Sequence, residues 1–530
     1  MPGPLLKPAA REPLVAFMAG FSLLCGSLAA FVERNDYPYL RAEIGLAVAA
    51  ILVLSAVMAA VYRGQPQWVR SFLEGLLGAL IVDLNSLSIL PVGLTFIAVG
   101  GLTWWRKMSL IGPMAMIGSI ILVTTVAGIG GNPPWMKTAV TSRGLVEAAP
   151  AQPAILHLIL DEHLGLEGLP EDDPMARQVR AELRSFYRTR GFAVAGGAYS
   201  QHLHTVNAFP HILNFGRQLG KEVSKSGVKV GEAQYLRALA DKGYDLTVIQ
   251  SEFADLCSGN PVRSCTTYES WSLRPALEAQ LTTRDRARLI AAKFLVVSDL
   301  TLKGTKYWNR LAKKAPAGEW APSPIQLRHA GRSSTIAALV TFDGLGQRLI
   351  RARPGEAYIA HLLAPHYPYV VRADCSYLPA DQWIGRKSKV PLEQRRRAYF
   401  DQLRCVTRKI DTALSALARS PAGANAVVII HGDHGSRLSN SDPSERNLGQ
   451  FGDRDLIAGF STLFAVRAPG IEPSYSRDRA RVAELLRDFT AKNFRSAPVD
   501  RSIGPDRVYL DDRRWKPTRQ VALPAQWPKP

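Results

Sequence analysis

The first part of the chain consists of long apolar runs with short polar breaks between them. Residues 13–31 are almost wholly apolar and residues 44–61 repeat the pattern, so each run is close to the ~20 residues that cross a bilayer as a helix. Residues 72–105 are too long for one crossing and carry Asp-Leu-Asn in their middle, which predicts two short helices joined by a polar turn, or alternatively a re-entrant segment. Residues 110–129 form the last apolar run. The pattern predicts an N-terminal bundle of about five transmembrane α-helices.

Basic residues flank these runs on one side of the predicted membrane. They precede the first run, follow the second, and separate the fourth from the fifth: Lys7, Arg11, Arg63, Arg70, Arg106 and Lys107. Because cytoplasmic loops carry an excess of Lys and Arg, we expect the N-terminus in the cytoplasm and the domain after the last run on the periplasmic or extracellular side of the inner (plasma) membrane. A cleaved signal peptide is the competing interpretation of residues 13–31, but equally apolar runs follow it and no small-residue cleavage site stands out.

From about residue 146 onward the pattern changes to short apolar runs separated by amphipathic helical stretches. The strand candidates are residues 154–160, 246–249, 357–363, 426–430 and 462–466, and the clearest helical stretches are residues 175–190 and 393–417. Strands that alternate with helices predict an α/β domain with a mostly parallel sheet sandwiched by helices. Ligands bind beyond the carboxyl ends of such strands, and polar clusters follow several of these runs.

The change in pattern divides the chain into four parts. We predict a transmembrane anchor over residues 1–131, a linker over residues 132–153, the α/β domain over residues 154–511 and a C-terminal tail over residues 512–530. The tail is rich in Pro and Arg, so it is expected to lie along a surface or to be disordered.

The net charge of +20 indicates an anionic partner. The Arg residues are scattered along the soluble part and no basic run interleaved with aromatic residues occurs, so nucleic acid is not a predicted partner. Anionic lipid head groups explain the charge more simply, because a membrane surface attracts basic residues that lie within a Debye length of it.

The cysteines support the predicted orientation. Cys25 lies in a predicted span, Cys257 and Cys265 are close in sequence, and Cys375 and Cys405 form a second possible pair. An even number in the soluble part predicts two disulfides in an oxidising compartment. Four reduced cysteines in a cytosolic domain are the alternative, which would contradict the orientation.

Two polar clusters carry the candidate chemistry. Asp161 and Glu162 directly follow the first predicted strand, where carboxylates are costly unless they reach water or a cation. Asp433 and His434 stand between glycines in the sequence HGDHG; glycine lets the backbone turn sharply, and a carboxylate with an imidazole suits a divalent cation such as Zn or Mn. A solvated strand end, a helix N-cap or a polar surface loop would explain the same residues without a function.

Four motifs occur together in this part of the chain. They are ILDEH ending at His163, HTVNAFPHIL over residues 204–213, HLLAPHYPY over residues 361–369 and HGDHG over residues 431–435. This set resembles the alkaline-phosphatase-like superfamily, in its sulfatase-like branch of membrane phosphoethanolamine transferases and lipoteichoic acid synthases. The resemblance covers most of residues 154–470 and extends to the five-helix anchor. It implies a sulfatase-like catalytic domain that holds one or more divalent metal ions.

The resemblance implies roles for individual residues. In those families a strand-end acid, a Thr nucleophile and an Asp-His pair hold the metal; the matching positions here are Asp161 or Glu162, Thr205, and Asp433 with His434. A hydroxyl beside a cation loses its proton more readily and can attack phosphorus to form a covalent intermediate.

Thr205 and its surroundings leave alternatives open. Ser200 is a second candidate for the nucleophile. Thr205 could instead be a helix N-cap, which is compatible with catalysis because a helix N-terminus favours a bound anion. Further candidates with weaker support are His163, His202 and His204.

His361 and His366 are five residues apart, the spacing of two histidines that handle the phosphoryl or leaving group in the phosphoethanolamine transferases. Both are candidate substrate-binding residues, and His366 is favoured. Ala364 and Pro365 replace the Gly-Ser of that family, so His361 is alternatively an internal strand residue. Arg437 could pair with a phosphate oxygen or lie on the surface.

The resemblance implies a membrane-anchored enzyme that moves a phosphoethanolamine- or phosphoglycerol-type head group from a phospholipid donor to a membrane or cell-envelope glycan through a Thr phospho-intermediate. A phosphate or sulfate ester hydrolase is the alternative. The formylglycine route of true sulfatases is not expected, because no Cys stands in a C-x-P-x-R setting. A catalytically inactive sensory or binding protein is less favoured, because Thr205 and the Asp433-His434 pair are both present.

Overall fold

A computed structural model describes most of the chain, in two compact units. The described residues are 8–85, 89–127, 135–140, 152–217, 227–296, 333–385, 388, 390–439, 441–502 and 506–528. Residues 1–135 with 272–332 form the first unit, and residues 136–271 with 333–530 form the second.

The secondary structure follows in chain order. The helices are α1 (Pro8–Arg34), α2 (Ala42–Tyr62), α3 (Gln67–Asn85), α4 (Ile89–Arg106), α5 (Ile111–Ala127), α6 (Pro174–Thr189), α7 (Thr205–Leu213), α8 (Gln234–Asp241), α9 (Arg274–Glu278), α10 (Thr283–Val296), α11 (Ser334–Leu349), α12 (Leu392–Ala418), α13 (Asp453–Phe460) and α14 (Val482–Ala491). The strands are β1 (Met136–Val140), β2 (Ile155–Leu160), β3 (Ala193–Tyr199), β4 (Val228–Lys229), β5 (Asp245–Ser251), β6 (Ala254–Asp255), β7 (Ser264–Tyr268), β8 (Glu356–Leu362), β9 (Val427–Gly432), β10 (Phe464–Arg467), β11 (Ser474–Arg481), β12 (Arg507–Asp511) and β13 (Pro517–Ala522).

The first unit contains the helices that the apolar runs predict. Helix α1 packs against α2 and α5, and α3 packs against α4. Small and apolar residues such as Ala16, Ala19 and Leu23 fill the contact. Large apolar side chains such as Val53 and Val123 remain exposed, which suits contact with lipid rather than with water.

Two helices of the described chain are long and apolar enough to cross a membrane, Glu12–Arg34 and Ala42–Tyr62, and Ile111–Ala127 is apolar but shorter. The long apolar run over residues 72–105 forms two helices, α3 and α4, as predicted. The predicted polar turn is wrong at Asp83 and Asn85, because α3 continues through Asn85; residues 86–88 lie outside the described chain. Five crossings therefore remain a prediction.

Helices α9 and α10 belong to the first unit, although the sequence pattern assigns their residues to the α/β domain. Buried Glu43 at the start of α2 explains part of this packing, because Arg286 of α10 donates from Nε to Glu43 Oε1 at 2.7 Å. The Tyr37 hydroxyl donates to the same carboxylate. The rings of Phe31 and Phe294 pack edge to face nearby, with centroids 5.3 Å apart.

The second unit is built on a nine-stranded sheet in the order β1-β7-β5-β8-β2-β9-β10-β3-β11. Strands β7, β5, β8, β2 and β9 are parallel neighbours, and β3 with β11 forms another parallel pair. Strands β1 and β10 run antiparallel to their neighbours. The predicted mostly parallel α/β sheet is confirmed, whereas the run over residues 462–466 proves to be an antiparallel strand.

The predicted boundaries need two corrections. Residues 132–153 are not a linker throughout, because β1 pairs with β7 at the edge of the sheet. Of the two alternatives for the C-terminal tail, disorder is wrong for residues 512–528, because β13 pairs with β12 and both Leu523 and Trp527 are buried. Burial of those two apolar side chains stabilises the folded conformation of this segment.

Both predicted disulfides are present, Cys257–Cys265 and Cys375–Cys405. Cys25 is free and buried. Disulfides persist in oxidising compartments, so the pairs agree with an extracytoplasmic location for the second unit.

Candidate metal and nucleophile site

The register of the sheet brings two acids to the same edge. Leu160 of β2 is paired with Gly432 of β9, so the residues that follow, Asp161 and Asp433, leave the sheet side by side. Ligand atoms of Asp161, Asp433 and His434 lie within 4.8 Å of one another, and all three residues are buried. His434 Nε2 is 3.5 Å from Asp161 Oδ1 and 3.6 Å from Asp433 Oδ2.

The buried carboxylates of Asp161 and Asp433 accept too few hydrogen bonds to satisfy all of their oxygens. Asp433 Oδ1 accepts the backbone N–H groups of Glu162 at 3.3 Å and of His434 at 2.8 Å. Asp433 Oδ2 and Asp161 Oδ1 are buried without a hydrogen-bond partner. Burial, reinforced by the charges of Asp433 and Glu162, raises the pKa of Asp161 well above its usual range.

A divalent cation would fit this donor set. Burial lowers the pKa of His434, which favours the neutral imidazole that binds metals. Two carboxylates and an imidazole suit Zn or Mn, and a cation would compensate the buried charges that the chain leaves unpaired.

The glycines of HGDHG are required by close packing. A Cβ at Gly432 would overlap Thr462 Oγ1, and a Cβ at Gly435 would overlap the carbonyl oxygen of Ala458. The two glycines therefore let the loop that carries Asp433 pass between neighbouring segments.

Glu162 lies outside the three-residue cluster. Its φ of +62° is uncommon for a residue with a Cβ and indicates local strain of the kind found at functional sites. Arg437 donates from Nε to Glu162 Oε1 at 3.2 Å, and His366 Nε2 lies 3.7 Å from the same oxygen. The structure thus separates the two adjacent acids, one to the cluster and one to an ion pair.

Thr205 is the first residue of α7 and lies against the cluster. Its Oγ1 is 3.3 Å from His434 Nε2. His204 takes the N-cap position, and it makes no side-chain cap. Thr205 is therefore not the N-cap of α7, and its hydroxyl faces the candidate metal ligands.

The other predicted residues lie around this centre. His361 is wholly buried within β8, 4.5 Å from the ring of Phe209 between centroids, and neither ring nitrogen has a hydrogen-bond partner. Burial lowers the pKa of His361 to about 4, which matches the internal strand residue of the alternative interpretation. His366 is only half-buried, and Ser200 Oγ accepts the N–H of His202 at 3.4 Å.

Arg437 is buried, with 7% of its surface exposed, so the surface alternative is wrong for this residue. Beside its contact with Glu162 it donates from a terminal nitrogen to the carbonyl oxygen of Leu203 at 2.8 Å. Its other terminal nitrogen is buried without a hydrogen-bond partner. An anionic group would satisfy that donor.

Sequence reasoning missed Asp511, which approaches α7 from β12. Asp511 is fully buried and lies 2.7 Å from His204 Nδ1. Burial raises its pKa to about 7. The sequence VYLDD, an apolar run that ends in two acids, carries the same pattern as ILDE and could have indicated it.

No family model and no curated protein matches the sequence. Solved structures are similar at low identity. The C-terminal periplasmic domain of EcEptC from Escherichia coli is 12% identical with a TM-score of 0.39, over 74% of this chain and 98% of that chain. A 2-O GAG sulfatase is 11% identical, with a TM-score of 0.38, over 68% of this chain and 78% of that chain.

The phosphonate monoester hydrolase of Agrobacterium radiobacter is 12% identical with a TM-score of 0.38, over 68% of this chain and 81% of that chain. Because the TM-scores lie below 0.5, we take the function from the residues of this site alone.

Proposed function

We propose that this chain is a membrane-anchored, metal-dependent enzyme that transfers a phosphoethanolamine- or phosphoglycerol-type head group from a phospholipid to a membrane or cell-envelope glycan. The observation that carries the proposal is the position of Thr205. Its Oγ1 lies 3.3 Å from His434 Nε2, in contact with the buried Asp161, Asp433 and His434 cluster. A hydroxyl beside such a cluster, at the start of a helix, has the setting of an activated nucleophile.

Asp161, Asp433 and His434 would hold the metal ion. When bound, the ion would ease removal of a proton from a neighbouring hydroxyl and offset the negative charge of the phosphoryl oxygens. Glu162 is a further candidate ligand, although its carboxylate pairs with Arg437.

The residues of the chain would carry the transfer in two steps. The Thr205 hydroxyl has its Oγ1 3.3 Å from His434 Nε2, and Asp161 of the same cluster would accept its proton. Thr205 Oγ1 would form a bond to phosphorus, while the bond from phosphorus to the alcohol oxygen of the donor breaks and that oxygen takes up the proton that Thr205 released. An acceptor hydroxyl would then attack phosphorus and give up its proton, while the bond from phosphorus to Thr205 Oγ1 breaks and that oxygen takes up the proton.

Arg437 and His366 would contact the substrate in this proposal. The buried terminal nitrogen of Arg437 that has no partner would donate to a phosphoryl oxygen. The N–H groups of the first turn of α7 would face the same anion. Half-buried His366, 3.7 Å from Glu162, would contact the leaving group. Buried His361 would pack beneath the site, within β8.

The location of the enzyme is part of the proposal. Helices α1 and α2 are long and apolar enough to anchor the chain, and the two disulfides favour an oxidising compartment for the second unit. An enzyme that is anchored in a membrane would have phospholipid available as its donor.

Replacement of Thr205 tests the proposal. Detergent-solubilised full-length protein would be supplied with Zn or Mn and with phosphatidylethanolamine or phosphatidylglycerol labelled in the head group. We expect Thr205→Ala to abolish both label transfer and the labelled protein adduct, and Thr205→Ser to retain part of both, because a hydroxyl is kept.

Thr412→Ala is the matched control, because Thr412 is exposed on α12 and its hydroxyl bonds only to a carbonyl of its own helix. Undiminished transfer by Thr205→Ala would overturn the assignment of the nucleophile. Release of label to water in place of a glycan acceptor would make the enzyme a hydrolase on the same site.

A further inference from the structure

The hairpin of β12 and β13 contacts the segment that leads into the nucleophile helix. Tyr509 donates its N–H to the carbonyl oxygen of Gln201 at 2.8 Å, and Gln201 Nε2 donates to the carbonyl oxygen of Arg507 at 3.2 Å. The rings of His202 and Tyr509 stack with centroids 4.9 Å apart. Residues 201–204 are therefore held by the hairpin as well as by their own neighbours.

Asp511 extends this contact into the first turn of α7. Its Oδ2 lies 2.7 Å from His204 Nδ1 and accepts from Asn207 Nδ2 at 3.1 Å. His204 and Asn207 flank Thr205 on either side. One carboxylate oxygen thus fixes the residue before the nucleophile and the residue two positions after it.

Trp515, in the turn of the hairpin, completes the arrangement. Asn207 Nδ2 also donates to the carbonyl oxygen of Trp515 at 2.7 Å. The indole stacks on the ring of His204 with centroids 4.7 Å apart and an interplanar angle of 22°. Since Asp511 is fully buried, its bonds to His204 and Asn207 are shielded from competing water.

We propose that Asp511 is a positioning residue, through which the hairpin sets the Thr205 hydroxyl against Asp161 and His434. This inference rests on the proposed function, in which Thr205 attacks phosphorus. A nucleophile that is misplaced by about 1 Å can lose on the order of a hundredfold in rate. Asp511 does not touch the reacting atoms; it acts through His204 and Asn207.

Replacement of Asp511 by Asn keeps the shape of the side chain and removes its charge. We expect kcat for head-group transfer to fall about 10- to 100-fold, while KM for the phospholipid and the bound Zn or Mn per chain stay unchanged. Asp512→Asn is the matched control, because that neighbouring carboxylate accepts only from backbone N–H groups of the turn.

Hydrogen–deuterium exchange of the full-length protein gives a second readout that needs no activity. We expect Asp511→Asn to accelerate exchange in peptides that cover α7 and to leave peptides that cover β2 and β9 unchanged. Asn207→Ala, which removes one of the two partners, should show the same pattern with a smaller fall in kcat. The double variant should be less impaired than the two single effects combined, because both act through one contact.

Unchanged kcat and unchanged α7 exchange in folded Asp511→Asn protein would overturn the inference. So would an equal acceleration of exchange across the sheet, which would mark a general loss of stability. Failure of the wild-type protein to form a labelled Thr205 adduct would instead reject the proposed function, and the exchange data would still report whether Asp511 holds α7. If Asp511→Asn does not fold, unaltered kcat in Asn207→Ala would overturn the inference.

Discussion

At the scale of single residues, Asp161 and Glu162 show how one backbone dihedral angle directs the side chains of two adjacent acids to different partners. The left-handed φ of Glu162, +62°, turns its carboxylate toward Arg437. Asp161 remains in the buried cluster with Asp433. One acid therefore already has a cation within the chain, and the other is available to a metal ion.

Replacement of Asp433 by Asn should change stability in opposite directions with and without metal. In EDTA the substitution removes the charge of a buried carboxylate that has one oxygen without a hydrogen-bond partner, so Tm should rise above that of the wild type. With Zn or Mn at a hundredfold excess over Kd, the wild type should gain about 2.7 kcal/mol, and Asp433→Asn should gain much less because it lacks a ligand.

Thermal denaturation of the detergent-solubilised full-length protein measures both effects. Asp478→Asn is the control, because Asp478 is exposed and lies outside the cluster. A metal response of Asp433→Asn equal to that of the wild type would contradict the metal site.

The sequence indicates which residues belong to this candidate site better than it indicates which contacts each of them makes. Polar residues directly after apolar runs indicate Asp161, Glu162, Asp433 and His434, since strand ends meet at one edge of the sheet. Adjacent acids are equivalent in such a pattern, and only the backbone conformation separates them. Asp511 ends β12, which belongs to a separate two-stranded sheet, so the strand-end pattern does not predict its contact with His204.

At the scale of elements, the sequence predicts best the strands that are buried and also carry large apolar side chains. Strands β2 and β9 are buried along their whole length and read as continuous apolar runs. Strand β3 contains two glycines, and edge strand β11 is partly exposed and rich in Arg, so neither has that pattern. The antiparallel direction of β10 depends on its connections and not on its own residues.

The two disulfides should contribute unequally to stability, because they close loops of different length. Cys375–Cys405 spans 30 residues and Cys257–Cys265 spans 8. Loop-closure entropy makes the longer loop more stabilising by about 1 kcal/mol. We expect the double substitution of Cys375 and Cys405 by Ala to lower the free energy of unfolding more than that of Cys257 and Cys265.

Urea denaturation of both double variants, beside the wild type and under non-reducing conditions, measures the difference. Each double variant serves as the control for the other, since each removes one disulfide and adds the same two methyl side chains. Greater loss from the Cys257 and Cys265 variant would contradict the expectation.

At the scale of the whole molecule, the chain joins an apolar helical unit to an α/β unit that carries the chemistry. The sequence predicts this division because the requirements of lipid and of a buried sheet give different patterns, about 20 apolar residues in one and short apolar runs in the other. It does not assign α9 and α10 to the first unit, since both helices carry several charged residues and neither is a long apolar run. The packing of α10 against α2 follows from contacts such as Glu43 with Arg286.

The five predicted crossings have a testable pattern of loops. A reporter that is active only in an oxidising compartment should be active when fused after Pro38 or Leu87 and inactive after Gly64 or Met108. The fusion after Leu87 decides between two crossings and a re-entrant segment for residues 72–105. Activity after Pro38 but not after Leu87 would favour the re-entrant segment, and activity after Gly64 would contradict the predicted orientation.

The contact between the hairpin and α7 can form only late in synthesis of the chain. Thr205 leaves the ribosome about three hundred residues before Asp511, since 307 residues separate His204 from Asp511. At synthesis rates of about 5–20 residues per second, this interval is roughly 15–60 s. During that interval α7 would lack its contacts with Asp511, so under the proposed function head-group turnover would reach its full rate only after the hairpin has been translocated.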